Sequence, residues 1–291
     1  MDGLRDAWVG FWQQVATHLG KPLGSAILGY ELMNEPWAGN AVSDLLLMIP
    51  GVADKVNLQK TWEAAADGIR QKDTSHAIFF EGVTWDWFNV GFTDIPGGKQ
   101  WTNKSVLSYH FYKPPDFDAQ TQMRARQDDM KRLRCGGFLT ELFPDTTLFN
   151  DCDQYLQSWL MWEYKPFIGN KTGSDSYMWF ANGTMNVQHA ALLSRSYAQV
   201  VAGTTTAMKF NTTSKVFVLV YEVSPAVHHN TSKVYFNEAL HYPSGFTATV
   251  TSSPSSAPIN PSWKYVTKNH IEVYHSTGTS GTVVFTLNPQ W

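Results

Sequence analysis

Ala26-Ile-Leu-Gly-Tyr-Glu-Leu-Met-Asn-Glu-Pro-Trp37 is an apolar run of strand formers that closes on Asn34-Glu35-Pro36. Pro36 lacks an N–H and cannot extend a buried strand, so the Glu35 carboxylate is delivered at the C-terminal lip of that strand. In parallel barrels and sheets this lip is where active sites form. A second stretch of the same design, Gly136-Gly-Phe-Leu-Thr-Glu-Leu-Phe143, ends on Glu141. Two acids on two strand ends suit glycoside hydrolysis. One protonates the leaving oxygen, and the other attacks the anomeric carbon, or activates a water, from the opposite side.

Outward from these two strands the chain alternates. A helix is expected over Asp2–Leu19, where Leu4, Trp8, Phe11, Trp12, Val15 and Leu19 recur at helical spacing before Gly20 and Pro22. Helices are also expected at about Lys55–Gln71, Phe117–Leu133 and Val187–Val201. Strands are expected at Ala26–Met33, Ala77–Glu81, Val106–Phe111, Gly136–Glu141 and Ser158–Glu163. That order implies right-handed βαβ units around a parallel sheet. From about Thr204 it gives way to short β-branched runs between Gly, Pro, Ser and Asn clusters, the pattern of an antiparallel β-sandwich. Residues 1–203 therefore read as an α/β domain and 204–291 as the sandwich.

Composition narrows the chemistry. A chain of 291 residues that is 43% hydrophobic can bury two cores. A net charge of −3 with no Lys/Arg run argues against nucleic acid as a partner. The His residues are scattered and no Gly-rich loop matches a nucleotide fingerprint, so the reading asks for no cofactor and no metal. No apolar run approaches the ~20 residues that span a membrane. Cys135 and Cys152 bracket Glu141, and a disulfide and free buried thiols both stay open for them.

His110-Phe-Tyr112 on a third strand and Trp162-Glu-Tyr-Lys165 on the last complete a pattern that resembles glycoside hydrolase family five. Within that family, Ser108-Tyr-His-Phe-Tyr, Leu139-Thr-Glu-Leu and Leu192–Gly203 are similar to the endoglycoceramidase branch. The resemblance implies a TIM (β/α)8 barrel of which only strands four to eight are present, followed by the β-sandwich. It makes Glu35 the general acid/base, its pKa raised in the glycosyl-bound state, and Glu141 the nucleophile. Asn34 would hydrogen-bond the sugar 2-hydroxyl, Tyr112 would hold Glu141, and His110 would support the acid. Trp162 would floor the sugar site, with ordinary packing as its rival role. Glu81 also ends a strand, but one adjacent to that of Glu35, and reads as a rim or substrate contact at most.

The implied activity is retaining cleavage of the β-glucosidic bond between oligosaccharide and ceramide in glycosphingolipids. β-Glucanase, glucosylceramidase and sterylglucosidase remain alternatives, as does an inactive carbohydrate- or lipid-binding fragment. Two loops fit a lipid-linked substrate and peripheral contact with membrane lipid, Leu45–Ile49 and the aromatic Thr84–Phe88. Cover by a neighbouring loop is the rival explanation for both. Sequons at Asn103, Asn170, Asn182, Asn211 and Asn230 exceed the one or two expected by chance, about the rate of so short a motif. They point to a secreted or lysosomal protein although Met1-Asp-Gly-Leu-Arg-Asp is no signal peptide. The expectation is a longer gene product, this stretch alone being inactive or poorly soluble because an open barrel exposes strand edges.

Overall fold

The structure, a computed structural model, describes residues 2–83, 87–164, 178–180, 182–253 and 259–291. Thr84–Asp86 of the aromatic loop, Lys165, Asn170 and residues 254–258 of the Ser/Pro-rich loop lie outside the described residues. The chain divides into two compact units, residues 1–142 with 158–160, and residues 143–157 with 161–291.

The first unit is built on five parallel strands in sequential order. They are β1 (Gly29–Glu31), β2 (Ala77–Glu81), β3 (Ser105–Phe111), β4 (Gly136–Leu142) and β5 (Ser158–Trp159). The expected strand over Ala26–Met33 is trimmed at both ends. Residues 24–26 form a 3-10 turn, and only Gly29–Glu31 pair with β2. Helices α1 (Asp2–Val15), α2 (Gln59–Arg70) and α3 (Ala119–Leu133) accompany the sheet. Both α1 and α2 are shorter than expected at the ends where π turns, Ala16–Gly20 and Asp54–Leu58, take over.

Ile78 and Phe80 of β2 and Leu107 of β3 share a core with Trp62, Ala65, Ala66 and Ile69 of α2. At α3, Asp118 caps the first turn by accepting from the Thr121 amide, and Arg134 ends the helix in the left-handed conformation. Its buried face repeats at helical spacing through Ala119, Met123, Arg126 and Leu133.

That face carries charge into the interior. Asp129 is fully buried and accepts from Arg126 at 3.0 Å, Arg132 at 2.7 Å and the Val90 amide at 2.9 Å. Both guanidiniums also reach the loop after β2, Arg126 at the Phe88 carbonyl and Arg132 at those of Val90 and Phe92. Asp54 accepts from the Val83 and Gly91 amides of the same loop, each at 2.9 Å. Gly91 has no alternative here, because a Cβ would lie 1.7 Å from the Gly51 carbonyl oxygen.

The second unit contains two four-stranded sheets, ordered β10-β13-β8-β7 and β11-β12-β9-β6. The strands are β6 (Tyr197–Val200), β7 (Thr204–Phe210), β8 (Phe217–Val223), β9 (Thr231–Tyr235), β10 (Phe246–Ser252), β11 (Ser262–Thr267), β12 (His270–Tyr274) and β13 (Gly281–Pro289). Every pairing is antiparallel, and alternation does the packing. Phe217, Leu219 and Tyr221 of β8 lie in register with Leu287, Phe285 and Val283 of β13, all buried.

Three further stretches differ from the sequence reading. The strand expected over Ser158–Glu163 stops at Trp159, so Trp162 lies beyond its end. The helix expected over Val187–Val201 stops at Leu193, and Tyr197–Val200 is strand β6. The buried Arg195 bonds Asp153 and the Phe210 carbonyl, a demand met by leaving the helix. A further helix, α4 (Thr146–Tyr155), starts from the cap Asp145, which accepts from the Thr147 and Leu148 amides. Both cysteines are free thiols, Cys152 buried and Cys135 partly so.

Asp129→Ala should cost about 3–5 kcal/mol, because it strands the buried Arg126 guanidinium without its carboxylate. Urea unfolding checks this; a loss below about 1 kcal/mol would mean that the ion pair adds little to the fold.

Candidate active site

At the C-terminal ends of β1 to β4 four carboxylates meet one imidazole. Glu35 lies four residues beyond β1 in a turn, with φ at +45°, a left-handed conformation that costs a residue with a Cβ about 1 kcal/mol or more. Its amide donates to Glu81 Oε2 at 2.9 Å, and its side chain is 42% exposed.

Glu141 sits near the end of β4 and is brought into place by a register slip. Tyr109 pairs with Leu139, but the next residue, His110, pairs with Glu141 instead of Thr140. Irregularities of this kind re-aim side chains beside active sites. His110 Nδ1 consequently lies 3.0 Å from Glu35 Oε1 and 3.6 Å from Glu141 Oε2. The Gln122 amide fixes the His110 carbonyl from α3.

Tyr112 donates its hydroxyl to Glu141 Oε2 at 2.7 Å, and its pKa is pushed far up by burial and by that hydrogen bond. Asp116 clamps the Tyr112 backbone at both its amide and its carbonyl. One oxygen of Glu35, one of Glu141 and a ring nitrogen of His110 all lie within 4.8 Å of one another. The same holds for Glu31, Glu81 and His110. Such sets can hold a divalent cation; as they stand, His110 bonds Glu35, Glu81 accepts from the Glu35 amide and Glu31 accepts from Thr140.

Of the residues singled out from sequence, Glu35, Glu141, His110 and Tyr112 come together. Asn34 is exposed beside Glu35. Trp162 belongs to the second unit, is 45% exposed, and joins Glu163 through a cis peptide bond.

Glu81 is corrected. It is 4% exposed, not a rim group, and burial drives its pKa from 4.5 to about 9, with Glu31, Glu35 and Glu141 adding repulsion. Glu31 escaped notice altogether; its Oε1 accepts from the Thr140 hydroxyl at 2.9 Å. The available signal was that each closes a short strand, Glu31 ending β1 and Glu81 ending β2.

Leu45, Leu46, Met48 and Ile49 are exposed on a 3-10 turn, while Leu47 is buried. In the other apolar loop Phe88 is 61% exposed, and Trp85 lies outside the described residues.

Comparison with known proteins adds kinship. The cellulase (glycosyl hydrolase family 5) model matches residues 4–185, and the glycoside hydrolase family 5 C-terminal domain model matches residues 195–285. An endoglycoceramidase of Hydra vulgaris is 47% identical over 84% of this chain and 48% of its own length. One of Cyanea nozakii is 42% identical over 98% of this chain and 58% of its own. The chain thus spans about half the length of these curated relatives. Among solved structures, the lactosyl-enzyme intermediate of endo-glycoceramidase II from a Rhodococcus species has a TM-score of 0.76 at 18% identity, covering 99% of this chain and 64% of that one. At that identity the likeness speaks for the fold.

A buried carboxyl that titrates near pH 9 binds its proton more tightly folded than unfolded. Its stabilising contribution is full below pH 4.5 and declines as pH rises towards about 9. Glu81→Gln cannot ionise, so its urea midpoint should gain on that of the parent across this window. A constant difference between the two proteins would place the Glu81 titration elsewhere.

Proposed function

Because the chain belongs to glycoside hydrolase family 5, we propose that it carries the catalytic pair of a retaining glycosidase. The bond cut joins oligosaccharide to ceramide in glycosphingolipids. One observation carries this reading: oxygens of Glu35 and Glu141 within 4.8 Å. Retaining enzymes keep their carboxyls about 5–5.5 Å apart, whereas inverting enzymes leave room for a water.

Glu141 attacks the anomeric carbon with the oxygen that Tyr112 leaves free, while Glu35 gives its proton to the ceramide oxygen, which departs as an alcohol. Glu35, now a carboxylate, takes a proton from water. The water oxygen attacks the anomeric carbon, the bond to Glu141 breaks, and the glycan leaves with its configuration retained. Asn34 is assigned to the sugar 2-hydroxyl.

The lipid substrate is supported by relatives named endoglycoceramidase and by a Rhodococcus structure solved as a ganglioside GM3 complex. The exposed Leu45, Leu46, Met48 and Ile49 support contact of that loop with membrane lipid. Exposed sequons at Asn103, Asn182 and Asn211 support a secreted or lysosomal location. The five parallel strands are assigned to strands four to eight of a (β/α)8 barrel, which the share of the relatives' length supports. That same share favours the second reading, a carbohydrate- or lipid-binding piece without turnover of its own.

Incubation with a 2-deoxy-2-fluoro glucoside bearing a good leaving group should stop at a covalent adduct on Glu141, mapped by peptide mass spectrometry. A label on Glu35 or Glu81 would reverse the roles. Ceramide should be released from a ganglioside, with no sugar released from soluble β-glucan. The opposite pattern sinks the lipid assignment, and turnover of neither favours the binding piece.

A further inference from the structure

We propose that Glu81 is a positioning residue for the acid/base: one oxygen of its buried carboxyl grips the Glu35 amide, and the other sets the tautomer of His110. This rests on the reading of Glu35 as the proton donor.

Glu35 occupies a left-handed turn, where its carboxyl has no strand to hold it. The Glu81 Oε2 contact to its amide, at 2.9 Å, ties that turn to the sheet. Glu81 is well placed for this because its own backbone is anchored, the Trp62 indole donating to its carbonyl at 2.9 Å. At 4% exposure it is out of reach of a sugar, so it acts through Glu35 and His110 rather than on substrate.

The second oxygen supplies the logic. Oε1 lies 3.8 Å from His110 Nε2, while His110 Nδ1 faces Glu35 and Glu141. With Oε2 accepting the amide, the proton of a neutral Glu81 resides on Oε1 and faces Nε2. A small closure makes that O–H a donor to Nε2, which leaves the ring proton on Nδ1, pointing at the catalytic carboxylates. An ionised Glu81 would draw the ring proton to Nε2 instead, turning the Nδ1 lone pair towards Glu35 and Glu141.

The charged surroundings favour the neutral form. Glu31 from β1, Glu35 from the turn after it and Glu141 from β4 are all acidic neighbours, and burial adds to their effect. His110 from β3 and, across a small shared cavity, Arg126 from α3 are the basic groups that face it. Asp54 lies behind, bonded to the Val83 amide.

The test compares parent, Glu81→Gln and Glu81→Met in the full chain on two β-lactosides. The dinitrophenyl leaving group departs without a proton, and the methylumbelliferyl group needs more help. Glu81→Met should lose about 10–100-fold in kcat/KM on the methylumbelliferyl substrate and under about 3-fold on the dinitrophenyl one, the signature of a misplaced general acid. Glu81→Gln keeps an acceptor for the Glu35 amide and an N–H for Nε2, and should stay within about 3-fold of parent on both. Equal losses on both substrates in Glu81→Met, or a Gln variant as damaged as the Met variant, would overturn the proposal.

The ¹⁵N shifts of the His110 ring are read in parallel and need no turnover. The Nδ1–H tautomer should persist in parent and Gln variant and disappear in the Met variant; one tautomer in all three would also overturn the proposal. If the parent cleaves neither lactoside, the hydrolase reading has failed, and the ring shifts alone decide the role of Glu81.

Discussion

Four carboxylates crowd the C-terminal end of the parallel sheet, and the site works only if they do not all carry charge. Like charges at these separations repel strongly where water is partly excluded, so at least one proton must be retained among them. Burial decides where. Glu81, packed beneath the others, holds its proton well above neutrality, while Glu35 and Glu141 keep contact with solvent. The neutral group then becomes useful, as an acceptor for the Glu35 amide and a neighbour of the one imidazole.

The rest of the first unit reads as the apparatus that keeps this arrangement in place. Asp54 and Asp129 both hold the loop after β2 by its amides. Asp116 holds the backbone around Tyr112, and Gln122 that of His110. Each is a carboxylate or amide bonded to main-chain groups, which fixes loop geometry more tightly than apolar packing does. The short β1 and the left-handed Glu35 are tolerated because the next strand supplies the missing restraint. Family membership and geometry here bear on different matters. The matches establish kinship with glycoside hydrolase family 5, whereas the roles of individual side chains rest on distances.

Much of this was legible in the chain. Glu35 and Glu141 announce themselves as acids closing apolar runs, although the first strand itself stops at Glu31, before Glu35 and Pro36. The alternation of strands and helices specifies a parallel sheet, and the change of pattern after Gly203 specifies antiparallel strands. Less was visible where one residue serves distant partners. Arg195 interrupts a helix that periodicity would continue, because its guanidinium is needed by Asp153 and Phe210. Glu81 looked like a rim group because local sequence carries no measure of depth.

Sequence by itself determined that Glu35, Glu81 and Glu141 follow apolar runs, since hydrophobic patterning and a proline that cannot pair are local properties. Tertiary structure alone decided that His110 lies beside Glu141 and not Thr140, that Glu81 is buried and neutral, and that Glu35 bends back over it. Register, depth and proton affinity are set by what lies across a strand or beneath a carboxyl, and those neighbours come from segments remote in the chain.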